Sequence, residues 1–145
     1  MTKEGTDTYG IEAAYTADTY GVAVAYVSVD NAAAAETTYW GVNGFYTFDL
    51  ASISVGVETE ETSGTDESGY FVGLTFPEVG PGSVNVGLDT QANYKDSDSE
   101  KLIYEASYSY PINYGMTITP GVYIKEASGS TDDDTGVLVK TSFSF

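Results

Sequence analysis

The chain contains no cysteine, no histidine and no arginine among its 145 residues. Without cysteine there are no disulfides and no thiolate metal sites. Without histidine the usual general base is missing, and with it any Ser-His nucleophile pair. Five lysines face 22 acidic residues, for a formal net charge of −17. That balance excludes nucleic acid, which needs a basic patch. No apolar run approaches the roughly 18 residues of a membrane helix. The opening Met1-Thr2-Lys3-Glu4 has no apolar stretch of the kind that marks a secretory leader. For an exported protein the expectation is then that a leader was removed or that the sequence starts inside a longer protein. What the chain does have is 13 Tyr, 6 Phe, 1 Trp and 16 Gly. A disordered acidic chain is poor in aromatics, so this one folds.

Alternation of apolar and polar residues recurs almost without interruption, and a period of two is the mark of a strand with one apolar face. The expected strands are Tyr9–Ala17, Gly21–Val29, Thr38–Phe48, Ala51–Glu60, Gly69–Phe76, Ser83–Tyr94, Leu102–Tyr110, Met116–Glu126 and Gly136–Phe145. The only helical candidate, Ala32–Glu36, is too short to stand alone. Connections alternate in kind. Those at Asp18–Tyr20, Asp49–Leu50, Pro77–Gly82 and Pro111–Gly115 are short. Those at Asp30–Thr37, Glu61–Ser68, Lys95–Lys101 and Ser128–Thr135 are longer, polar and mostly acidic. Short turns on one rim and long loops on the other are the arrangement of an outer-membrane barrel. The expected fold is therefore all-β: an antiparallel up-and-down transmembrane β-barrel, with about nine strands visible, read as one domain over residues 1–145.

One face of these strands is apolar, with Ile11, Val42, Ile53, Val55, Val86, Leu88, Tyr108, Ile118 and Val139. The other is small or polar. A soluble sandwich buries the apolar face on a second sheet, whereas a membrane barrel turns it to lipid and lines the lumen with the polar face. Alternation alone does not separate the two. Aromatic placement favours the barrel. Tyr39, Trp40, Tyr46, Phe48, Phe76, Tyr110, Phe143 and Phe145 fall near strand ends, in two bands of the kind that border a bilayer, and are read as membrane-girdle residues. Candidate pore-lining residues are Glu12, Glu58, Glu60, Asp89, Glu105, Lys125 and Lys140. Lumenal carboxylates favour cations, and lysines opposite them create a transverse field.

Other chemistry finds little support. Asp96-Ser97-Asp98-Ser99-Glu100 and Asp132-Asp133-Asp134 could offer oxygens to Ca²⁺, but the first lacks the glycine and spacing of an EF-hand loop. Both read as solvated loop charge. Carboxylates are so many that chance pairs are certain, and none is set in an apolar pocket as a glycosidase acid would be. No catalytic residue, metal site or cofactor is expected. The alternative to a channel is a soluble or surface-exposed all-β interaction or adhesion protein with acidic loops.

The chain ends inside a strand, on Phe145, which resembles the closing strand of bacterial outer-membrane barrels. Counting back from a periplasmic Phe145, strand one descends from outside, so residues 1–8 read as the remnant of an extracellular loop. Bacterial single-chain barrels have even strand numbers, so nine strands are expected to form part of a larger barrel. The order Ile118-Thr119-Pro120-Gly121-Val122-Tyr123, an acidic loop, Asp134-Thr135-Gly136-Val137 and Thr141-Ser142-Phe143-Ser144-Phe145 resembles the end of cyanobacterial outer-membrane porins. These are similar to the carbohydrate-selective porin family. That resemblance implies passive diffusion of ions and small hydrophilic solutes, with sugars or inorganic ions as the family's label. It also implies outer-membrane lipid as a partner and assembly as a homo-oligomer, a trimer. Family members also carry a leader, a wall-binding segment and a coiled-coil spacer, none of which this sequence contains.

Overall fold

A computed structural model describes residues 6–31, 36–63, 65–90, 101–127 and 132–144. Its nine strands are β1 Thr6–Thr16, β2 Tyr20–Asn31, β3 Thr37–Thr47, β4 Ser52–Thr62, β5 Thr65–Val79, β6 Gly82–Thr90, β7 Leu102–Asn113, β8 Met116–Lys125 and β9 Asp134–Phe143. They form one sheet in sequence order, every neighbouring pair antiparallel. No helix occurs among the described residues. The helical candidate at residues 32–36 lies outside them except for Glu36. The pattern dictates this result: β-branched and aromatic residues fill one face of each strand, and Gly, Asp, Asn or Pro interrupts each run.

The sheet is a single layer. Each strand touches only its neighbours in sequence among the described residues. Among the described residues Ala51, in a turn, is the only hydrophobic one buried. Val57 is 46% exposed, Val122 50% and Ile11 71%. A soluble sandwich would cover these residues with a second sheet about 10 Å away, and no such layer is present among the described residues. Nine strands spaced at about 4.8 Å make a wall about 38 Å wide along its curve. That apolar face far exceeds what a soluble monomer exposes.

Several boundaries differ from the sequence reading. The long loop expected at Glu61–Ser68 is a tight hairpin, since β4 runs to Thr62 and β5 begins at Thr65. Ser63 takes the left-handed φ of 47° that such a reversal needs. The acidic residues here remain in strand conformation because hydroxyls stitch them across. Thr59 and Ser68 share a 2.9 Å hydrogen bond, and Thr62 donates to Thr37 at 2.9 Å. Likewise β5 continues through Pro77 to Val79, with a register shift after Phe76 that accommodates the missing proline N–H. Thr6–Thr8, read as loop, pair with Val29–Asn31 in β1. Pro120 leaves a gap in the β7–β8 ladder, which resumes in the same register from Ser107↔Gly121 to Tyr110↔Ile118.

The short rim matches expectation. Phe48 donates its N–H to the Ala51 carbonyl at 2.7 Å, and Ala17 donates to Tyr20 at 2.8 Å. Gly115, at φ 101°, closes the β7–β8 turn, and Ser144 donates its N–H to the Gly115 carbonyl at 2.7 Å. That bond ties the end of β9 to this turn. β1 and β9 are the sheet edges and, being an even number of strands apart, run the same way.

Candidate functional site

Strand partners share a face, so the register decides which side chains meet. Row by row across the sheet, one face reads Gly10, Val27, Tyr39, Glu60 and Glu67, then Glu12, Ala25, Gly41, Glu58 and Gly69. The next row is Asn43, Gly56, Phe71, Asp89, Ile103, Lys125 and Asp134. Below it lie Gly21, Phe45, Ser54, Gly73, then Glu105, Tyr123 and Gly136. Lys140 pairs with Thr119 nearer the short rim. All seven charged residues singled out in the sequence, Glu12, Glu58, Glu60, Asp89, Glu105, Lys125 and Lys140, therefore occupy one face.

Carboxylates are spread over this face from β1 to β7 while both of its lysines stand on β8 and β9, where Asp134 pairs with Lys125. Glu58, Glu60, Asp89 and Glu105 stand on β4, β6 and β7, whereas Lys125 and Lys140 stand on β8 and β9. The sequence reading missed Glu67, which the extended β5 brings directly opposite Glu60. Two adjoining hollows lie over this acidic part. One, of about 320 Å³, is bounded by Tyr39, Glu58, Glu60 and Glu67; the other, of about 280 Å³, by Asn43, Glu58, Phe71 and Asp89. They share Glu58 and Gly41. Small residues make them: Ala25, Gly41, Gly56 and Gly69 leave space where neighbouring strands carry side chains. No group of three or more residues that could hold a metal occurs among the described residues.

The opposite face is apolar in its middle and aromatic at both margins. Tyr9 and Tyr15, Tyr26 and Tyr20, Trp40 and Tyr46, Tyr70 and Phe76, and Tyr104 and Tyr110 share this face on β1, β2, β3, β5 and β7. Each pair is six residues apart, about 20 Å along the strand. That spacing fits within the apolar band of about 25 Å in outer-membrane barrels. Between the margins stand Val24, Val42, Val55, Val57, Val72, Val86, Ala106 and Val122. At the short-turn margin Tyr46 and Phe48 pack edge to face at 4.9 Å. At the other, Tyr104 donates its hydroxyl to Glu126 at 3.1 Å, and the same carboxylate accepts the Leu102 N–H.

Trp40, Tyr46, Phe48, Phe76, Tyr110 and Phe143 thus lie on the apolar side or at its short-turn margin. Tyr39 does not. Sequence neighbours on a strand point to opposite faces, and Tyr39 stands beside Glu60 on the polar face, which corrects its reading as a girdle residue. Phe145 and the Asp96–Glu100 run lie outside the described residues. Phe45, Phe71 and Tyr123 are aromatics of the polar face that the sequence reading did not single out.

Chemically, the arrangement is a partition rather than a reaction centre. One surface suits hydrocarbon and the other suits water. The profile of the Gram-negative porin family matches residues 1–135. The match extends well beyond the C-terminal motifs on which the cyanobacterial resemblance rests and stops short of Phe143 and Phe145. Nothing among the curated proteins or the solved structures matches the chain. A single antiparallel sheet with an apolar, aromatic-bordered face and a charged opposite face, matched by this profile over most of its length, belongs to the Gram-negative porin family.

Proposed function

We propose that these nine strands are wall of a passive channel in the bacterial outer membrane, conducting ions and small hydrophilic solutes, sugars among them. The observation that carries this reading is the uncovered apolar face. Lipid satisfies a wall of valines bordered by tyrosines that, among the described residues, no second layer covers. The polar face then lines water. Its carboxylates on β4 to β7 favour cations, and the lysines on β8 and β9 set a field across the lumen. Since β1 and β9 run the same way, an antiparallel closure takes an odd number of further strands between them, whatever chain supplies these. The alternative, a soluble adhesion module, leaves the apolar face in water.

The test is refolding from denaturant with and without detergent micelles, read by gel mobility of unheated and boiled samples. Folding only in micelles, followed by cation-selective current in a planar bilayer, is the expected result. A monodisperse β-protein in plain buffer would overturn the channel reading.

A further inference from the structure

Three aromatic rings of the polar face lie over glycines. Phe45 on β3 pairs with Gly21, Phe71 on β5 with Gly56, and Tyr123 on β8 with Gly136. A Cβ built on any of these glycines would fall on the partner's ring. Among the described residues no other glycine of this face lies under a ring: a Cβ on Gly73 would meet the Ser54 hydroxyl at 2.7 Å, and one on Gly121 the Ala106 carbonyl at 3.2 Å. A Cβ on Gly87 would meet nothing nearer than the Val72 carbonyl at 3.9 Å. Gly21 and Gly56 are buried although, among the described residues, no second layer covers this face, so the rings over them contribute to that burial. Phe71 has Gly56 on one side and Asp89 on the other. Its ring leans toward the bare glycine on β4. Asp89 stays exposed.

We propose that Gly21, Gly56 and Gly136 are positioning residues that draw Phe45, Phe71 and Tyr123 aside along the wall. At Gly56 this holds the lumen open and leaves Asp89 facing the water. The inference rests on the channel reading and specifies what controls the bore on this face. A side chain at residue 56 occupies the space the ring uses. The ring then moves toward β6 and over Asp89, or inward. Either movement narrows the path, and the first also covers a carboxylate that favours cations.

The experiment is single-channel recording of the natural protein in planar bilayers, with folding of each variant checked by heat-dependent gel mobility. Gly56→Val is expected to lower conductance roughly 1.5-fold and move the reversal potential toward zero. Adding Phe71→Ala to Gly56→Val is expected to restore both, because the displaced ring is gone. Gly87→Ala, made where space is open, is expected to leave conductance near that of the natural protein. If Gly56→Val does not fold, Gly56→Ala carries the same clash with less bulk. Unchanged conductance in the glycine variant, or no recovery on removing the ring, overturns the positioning role while the channel reading stands. A natural protein that conducts nothing overturns the channel reading itself.

Discussion

The two faces of the sheet are built from the same strands yet follow opposite rules. On the apolar face the mid-strand residues are mostly Val, Ile, Leu or Ala, with Gly44, Tyr108 and Pro120 as exceptions, and five aromatic pairs repeat six residues apart. On the polar face, neighbours in a row differ sharply in size and charge: Gly41 beside Glu58, and Gly56 beside Phe71. Lipid is a uniform solvent, so the face it wets needs only to be apolar and of the right height. Water and solutes respond to local shape and charge, so the face they wet is irregular. On the proposed channel reading, the difference assigns thickness and insertion to one surface and selectivity to the other.

The comparison is broken most severely by a charge at mid-height on the apolar side. Val57→Lys is expected to cost about 2–4 kcal/mol of membrane stability, seen as loss of the heat-resistant folded band. Ser54→Lys, on the polar face, should fold normally. Equal behaviour of the two would dissolve the distinction between the faces. The next effect is confined to the polar face. Glu58→Gln with Asp89→Asn should leave folding intact and remove much of the cation preference in reversal-potential measurements. Raising salt should shrink the contrast with the natural protein, because exposed charges are screened within about a Debye length.

Smaller effects sharpen the picture at the margins. Phe48→Ala removes the edge-to-face partner of Tyr46. It should cost about 1 kcal/mol in denaturant titrations of the protein in micelles, with conductance unchanged. Thr59→Val breaks the hydroxyl pair with Ser68 that keeps the acidic β4–β5 hairpin in strand form. A loss of about 0.5–1 kcal/mol is expected, together with faster proteolysis near Ser63. If Thr59→Val leaves protease sensitivity unchanged, the hydroxyl ladder is not what shortens that loop.

Much of this was legible in the residues. The nine strands, the short rim and the common face of Glu12, Glu58, Glu60, Asp89, Glu105, Lys125 and Lys140 follow from a period of two that any reader can count. Where the reading failed, a local rule had lost to a cross-strand one. Glu61-Thr62-Ser63-Gly64-Thr65-Asp66-Glu67 looks like a solvated acidic loop by composition. Hydroxyl bonds to Ser68 and Thr37, on strands distant in sequence or reached after the turn, hold most of it extended. Tyr39 was grouped with Trp40 by nearness to a strand end, although parity places the two on opposite faces. Phe71 drew no attention, because its role depends on Gly56 lying opposite.

Side-chain alternation is a property of the backbone pleat, so the sequence by itself determined which residues share a face, how long most strands other than β5 are, and the sign of charge on the polar side. Only the tertiary structure decided that no second layer covers the apolar face among the described residues, that Glu67 stands opposite Glu60, and that rings settle over glycines. Those outcomes depend on register and layering between segments far apart in the chain, and no local period encodes them.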